Sequence, residues 1–352
     1  MKTSYVSNLA IQSAMRLTIQ QNQSELLKLT QEQTTGRHYD VGLALGATAS
    51  RSLNLQRELD RLNSMKTTNS VVTQRLSGSQ GALETMAKAA EKVRDTLVTY
   101  KGNDAASQLK IQKTEIMGAL QTFTAAANTS FNGEFLFSGI NTDAKPVADY
   151  STTPPSAAKT AFDNALSSFM AAQVPPLTGM DQFSVTQMQD FIKNTVEPMF
   201  TGPGWDANWS DASNQNMTSR ISASEVVESS TNANTSGFRM FALASVISAE
   251  LMDQNVTPEV RAAIGVAALD YAEQGIAGLN AERSSLGISE ARVKKANTSI
   301  EAQLKLVNTH VADIEGVDPI ETSTRINTLK VQLETSYTLT SRLQQMSLLN
   351  FL

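Results

Sequence analysis

The sequence contains no cysteine. Disulfide scaffolds, thiolate metal sites and thiol nucleophiles are thereby excluded. An ordinary cytosolic protein can lack the residue, but a chain exported unfolded, where a thiol could cross-link in transit, has a reason to. Charge is also scarce, at 18% against about 25% for ordinary domains. Ala, Ser, Thr, Asn and Gln fill the gap, giving a polar but weakly charged surface suited to packing against copies of itself. The formal net charge of −5 offers no basic footprint, so nucleic acid is set aside as a partner. No run of 18 apolar residues occurs, so no membrane insertion is expected. The opening MKTSYVSNLAIQSAMRLTIQ lacks a continuous apolar stretch and a small-residue cleavage site, so no cleaved secretory signal is expected.

Catalytic chemistry is equally thin. The two histidines, His38 and His310, lie outside any HExxH or triad-like setting, and P-loop, GxGxxG and GxSxG motifs are missing. Asp206, Asn208 and Ser210 open like a calcium loop, but Asp211 replaces the glycine at position six and Met217 the glutamate at position twelve. A solvated turn anchored by Trp205 and Trp209 is the expectation there. Glu58 and Asp60 sit beside Arg57 and Arg61 as ordinary surface pairs. We therefore expect no enzyme, no catalytic residue, no cofactor and no metal.

What the sequence does contain is helical periodicity at both ends. Ile11, Met15, Ile19, Asn22, Leu26 and Leu29 step by three or four, and Gly36 closes the segment. From Leu53 a seven-residue repeat runs through Leu55, Leu59, Leu62, Lys66, Asn69, Val72, Leu76, Leu83, Met86, Ala90, Val93, Leu97 and Tyr100, with Gly78 and Gly81 as points where it would bend. After a turn at Lys101–Asp104, Leu109, Ile116, Leu120, Phe123 and Ala127 predict a shorter antiparallel helix. Helix returns near Phe238. Thr257-Pro258-Glu259 is a start signal, and Leu286, Val293, Asn297, Ile300, Leu304, Val307, Val311 and Ile314 form the cleanest heptad run. Asp318-Pro319-Ile320-Glu321 restarts a helix, Asp as cap and Glu reaching back, with a stripe of Ile326, Leu329, Leu333, Tyr337, Leu343, Met346 and Asn350. Asn22, Asn69 and Asn297 on these seams would fix register.

The middle loses the heptads and carries seven of the nine prolines and both tryptophans. Residues 157–173 read as a helix and 217–238 as short strands around a turn. The expected fold is mainly α: an elongated helical rod of long heptad-patterned helices from both chain ends, with a short β-hairpin and an inserted mixed α+β domain. Terminal coiled-coil helices over 1–45 and 316–352 would be disordered in the free monomer, because ordering costs about 1–2 kcal/mol per residue. A helical rod domain would span 46–142 and 238–315, and an exposed insert 143–237.

The chain ends SRLQQMSLLNFL, a greasy tip where termini are usually polar. The end stripes can close on each other within one subunit, but Leu348, Leu349 and Phe351 lie beyond that seam. Each such side chain gains roughly 1.5–3 kcal/mol on burial, and only a neighbour supplies the other wall. The candidate assembly residues are therefore Ile11, Met15, Ile19, Leu26, Leu29, Leu329, Leu333, Leu343, Met346, Leu348, Leu349 and Phe351.

Several segments resemble the flagellin family. MKTSYVSNLAIQSAMRLTIQQNQSELLKLTQEQTTGR resembles its N-terminal helix and SRSLNLQRELDRLNSMKTTNSVVTQRLSGSQGALETM its next long helix. NTSFNGEFLFSGINTD (128–143) is similar to a hairpin of the hook–filament junction branch, and SSLGISEARVKKANTSIEAQ and SLLNFL to the C-terminal helices. HYDVGLALGATAS, after Arg37, departs from the family pattern. The resemblance implies a secreted structural subunit of the bacterial flagellum, sent out by type III export, that joins hook to filament. Its implied partners are copies of itself in a ring, a neighbouring hook-associated protein, flagellin, and a cytoplasmic export chaperone at the C-terminal helix. The alternatives are a minor flagellin of the filament and a type III secreted helical effector.

Overall fold

A computed structural model describes residues 8–99 and 105–349. The fold is mainly α, with long helices from both ends and two small antiparallel strand pairs. Helix α1 spans Asn8–Thr35, the short α2 Val41–Leu45, α3 Ala49–Thr99 and α4 Ala106–Ala127. Strands β1 (Ser130–Phe131) and β2 (Glu134–Phe135) follow, then α5 (Ala157–Ala172), α6 (Val185–Asp190), a π-helical turn at Phe191–Val196, α7 (Glu197–Thr201) and α8 (Gly204–Asn208). Strands β3 (Thr218–Arg220) and β4 (Val226–Glu228) lead to α9 (Ser236–Leu251), α10 (Pro258–Glu315) and α11 (Pro319–Leu349).

Contacts divide the chain into two units, one of Met65–Ser299 and one of Met1–Ser64 with Ile300–Leu352. In the first, α9 is the centre. Thirteen of its residues, around its whole circumference, are buried, as expected for a helix that is apolar all round. Its serines keep their hydroxyls on their own helix, Ser245 on the Phe241 carbonyl at 2.9 Å and Ser248 on that of Ala244 at 2.5 Å. Close approach to α10 depends on glycine: a Cβ on Gly278 would lie 2.6 Å from the Gly237 backbone, and one on Gly275 2.9 Å from the Phe241 nitrogen. Phe123 of α4 meets Phe238 and Phe241 of α9 at ring distances of 5.4 and 4.2 Å.

Helices α3 and α10 run antiparallel, joined by Gln80 Nε2 donating to the Arg283 carbonyl (2.7 Å) and Asn69 Nδ2 donating to Asn297 Oδ1 (2.8 Å). Asn69 is fully buried and also donates to the Ile221 carbonyl at 2.9 Å. Helix α4 is antiparallel to α3, since Thr96 and Lys92 reach Glu115 while Gly81 and Thr85 lie near Thr122 and Ala126. The heptad residues of α3 from Leu59 to Leu97 are buried, Lys66 excepted. Lys66 is exposed and the half-buried Met65 takes its turn, because a 3.6-residue helix drifts from a strict seven-residue step. Tyr100 and the Lys101–Asp104 turn lie outside the described residues. The helix is unbroken at Gly78 and Gly81. Gly78 instead leaves room for Leu136, whose Cδ1 a Cβ would meet at 3.4 Å.

Asn132 and Gly133 both have positive φ (53° and 86°), the requirement of a tight hairpin turn, and register β1 on β2. Segment 143–237 shares its core with the helices. Trp205, Trp209, Phe200 and Tyr150 stack among themselves and belong to the same buried cluster as α3, α4, α9 and α10. The expected strands of 217–238 pair as β3 and β4, and the expected helix as α5.

In the other unit α1 and α11 pair, and the start of α3 meets the end of α10. Asp318 caps α11, accepting from the Ile320 and Glu321 amides at 2.8 and 3.3 Å. Glu321 turns forward to Arg325 (3.3 Å), because a full positive charge one turn ahead outcompetes a backbone amide behind.

A Gly278→Ala substitution should cost about 1–3 kcal/mol in chemical denaturation, since backbone must shift. Gly81→Ala, with open space above it, should gain about 0.5–1 kcal/mol.

Candidate assembly surface

Helices α1 and α11 lie antiparallel. Thr340 Oγ1 approaches the Met15 sulfur at 3.9 Å, Gln23 Nε2 donates to Tyr337 Oη at 2.7 Å, and Arg37 bridges Gly316 as a two-residue β-contact. The α1 stripe faces this seam: Ile11, Met15, Ile19, Asn22 and Leu26 are half-buried and Leu29 is buried. On α11, Ile326 and Leu329 are half-buried and Leu333 is buried, while Tyr337 remains half exposed. These side chains are thus brought together within one subunit. The side chains of Leu343, Met346, Leu348 and Leu349, and Asn350 and Phe351 altogether, lie outside the described residues.

The seam is thin. Among the described residues, Leu29 and Leu333 are the only large apolar side chains buried in these two helices. Other apolar groups point away from it. Leu17 is 57% exposed and Leu27 73%, and on α11 Ile320 is 79% and Val331 61%. Ile320 and Val331 fall about 20° apart around the helix, opposite Leu333, so both face away from the seam. The periodicity argument missed them because they are off the dominant stripe. Their only sequence signal is a large aliphatic residue at a position that a two-helix seam assigns to solvent.

Side-chain chemistry elsewhere is structural in its arrangement. His38 Nδ1 lies 3.7 Å from Glu32 Oε1, and His310 is half-buried on α10. Asp206 lies 3.7 Å from the Arg239 guanidinium, and the Asn208 amide donates to the Gly204 carbonyl, so the calcium-like stretch forms a helix end. Among the described residues no three His, Asp or Glu side chains converge as a metal site. Glu58 is held below its usual range by the Arg61 hydrogen bond, a surface pair on α3. Burial pushes Glu197 upward, but hydrogen bonds from Lys193 and Tyr271 outweigh it and its carboxyl ends below the usual range. Burial, with the carboxylates of Glu250 and Glu197, raises the Tyr150 and Tyr271 phenols above the ordinary tyrosine range.

Both raised phenols keep their protons in the folded state beyond the pH at which the unfolded chain loses them. Their stabilisation is therefore complete below about pH 10 and declines as pH rises above it. Melting temperature should fall steeply between pH 10 and 11.5, and the fall should be shallower in Tyr150→Phe.

Two family models match the chain. The bacterial flagellin N-terminal helical region covers residues 6–142, and the bacterial flagellin C-terminal helical region covers 269–352. Among solved structures, a protein described as a flagellar hook-associated protein from Vibrio parahaemolyticus aligns with a TM-score of 0.53 at 12% identity, over 76% of this chain and 97% of that one. FlgL from Bacillus cereus aligns with a TM-score of 0.48 at 12% identity, over 74% and 99%. Comparison with curated protein sequences finds no match.

Proposed function

The chain belongs to the flagellin family of flagellar structural proteins, and from that premise we propose that it is the adaptor joining the flagellar hook to the filament. In this reading it is exported unfolded by the type III route, held before secretion by a cytoplasmic chaperone at its C-terminal helix. It then assembles as a ring of copies between a hook-associated neighbour and flagellin. Its role is structural rather than enzymatic.

The observation that carries the reading is the uncovered apolar surface of the end helices. A pair that, among the described residues, buries two large aliphatic side chains and exposes Leu17, Leu27, Ile320 and Val331 is incomplete as a folding unit. Packing each exposed side chain against a neighbour gains roughly 1.5–3 kcal/mol. The described seam residues, Ile11, Met15, Ile19, Leu26, Leu29, Leu329 and Leu333, shape the pair. The outward residues, with Leu343, Met346, Leu348, Leu349 and Phe351 of the tip, meet neighbouring subunits. The terminal helices, 1–45 and 316–352, gain their stable order on assembly. The low charge of these helices suits such a contact, because little ionic solvation is lost. The junction, rather than the filament, is favoured by the FNGEFLFSGIN hairpin and the uncharged SLLNFL end.

Purified protein should add to isolated hook ends without polymerising alone. A deletion strain should show hooks without filaments and release filament subunits to the medium. Long filaments from the purified chain would instead assign it to the filament. Leu27→Asp combined with Val331→Asp should leave the main melting transition in place and abolish incorporation. Normal motility in that double variant would contradict the surface described above.

A further inference from the structure

Glu315 is the last residue of the 58-residue α10, where a helix presents its negative end and where no basic residue occupies the last turn. Its carboxylate is also buried, only 4% exposed. Both features disfavour an anion, so its place must be secured by what surrounds it. Three side chains converge on it. Ser52 Oγ donates at 2.5 Å and Gln56 Nε2 at 3.2 Å, both from the first turns of α3. Arg37 Nη1 approaches at 3.3 Å from the loop after α1, and its side chain is half exposed. The backbone of the same residues is tied as well: the His38 amide donates to the Glu315 carbonyl (3.0 Å), and the Val317 amide to the Gly36 carbonyl (3.1 Å). Glycine is required on both sides, at Gly36 for its φ of +70° and at Gly316 because a Cβ would strike the Ala312 carbonyl. A second carboxylate, Glu32, holds the Tyr39 amide at 2.8 Å.

We propose that Glu315 is a latch: one buried carboxylate that ties the root of α1 and the root of α11 to the start of α3, with Arg37 as its removable pin. Two stretches far from it in sequence, the loop after α1 and the first turns of α3, meet on its two oxygens, and α11 begins four residues beyond it. The α1–α11 seam beyond this point buries too little to stay ordered unaided, so closure of the latch decides whether the end helices are held. This is a conformational device and stands apart from the identity of the assembly.

Hydrogen exchange on the full-length chain tests it. In wild type, the His38 and Val317 amides should be among the slowest outside 65–299. Glu315→Gln places an amide N–H2 where Arg37 donates and removes the charge that Arg37 answers. Exchange of those two amides, and of α1 and α11 with them, should accelerate by roughly 100-fold or more, while 65–299 keeps its wild-type rates. Arg37→Ala, a half-exposed position, should give the same pattern at about 10-fold and serves if Glu315→Gln disturbs the whole chain. The latch is overturned if wild type shows no protection at His38 and Val317. It is equally overturned if acceleration stays at residues 36–39 and 315–317 without reaching the helices, or if Arg37→Ala changes nothing.

Discussion

The close backbone approach of α9 and α10 is the constraint on which the larger unit depends. A helix buried around its whole circumference needs walls on every side. Gly237, Gly275 and Gly278 let the wall on one side be backbone rather than side chain. The other sides are then free for the large rings of α4 and the hairpin, with Phe123 and Phe137 against Phe238. Segment 143–237 is drawn in by the same demand. Its tryptophans stack on each other at 5.6 Å, Trp209 stacks on Tyr150 at 5.3 Å, and Trp205 satisfies its indole N–H on Asn234 at 2.8 Å. Apolar bodies with one placed polar contact make a proline-rich stretch part of a core.

The terminal unit is built on the opposite balance. Its helices are rich in Thr, Ser and Gln, and many of the hydroxyls bond back to the carbonyl four residues earlier, as at Thr18, Thr30, Thr328 and Thr335. Such bonding is neutral to unfavourable within a helix. With burial this sparse, the ordering entropy of each residue, about 1–2 kcal/mol, has little within the subunit to offset it. The larger unit thus carries a broad apolar core, and the terminal unit a narrow one.

Polar side chains set register where apolar ones cannot. Asn69 faces Asn297 across α3 and α10 and also reaches Ile221, so a shift of either helix would strand three polar groups. Leucines tolerate a one-turn slip and a buried amide does not. Glu315 does the same for the roots of the end helices with a full charge, which makes the requirement stricter. Each selects one alignment among several of similar apolar burial.

The helices were legible in the chain because their periodicity is local. The stripes Ile11 to Leu29 and Leu286 to Ile314 name the inward faces almost residue by residue, and Pro258 and Pro319 mark their helix starts. The strand pairs and α5 were readable from turn residues and alternation. The membership of 143–237 in the shared core was not, since it rests on stacking between residues such as Tyr150 and Trp209 that no period links. The outward exposure of Ile320 and Val331 was hidden for a related reason: exposure is a property of what a partner helix leaves uncovered. The role of Glu315 was invisible too, because Ser52, Arg37 and Glu315 are separated by up to 278 residues. The sequence by itself determined which segments are helical and which face of each is apolar, since both follow from side-chain spacing along 3.6 residues per turn. Only the tertiary structure decided which apolar face is buried inside the subunit, which stays exposed, and which charge joins the roots of the end helices, because those depend on distances between residues that the chain keeps far apart.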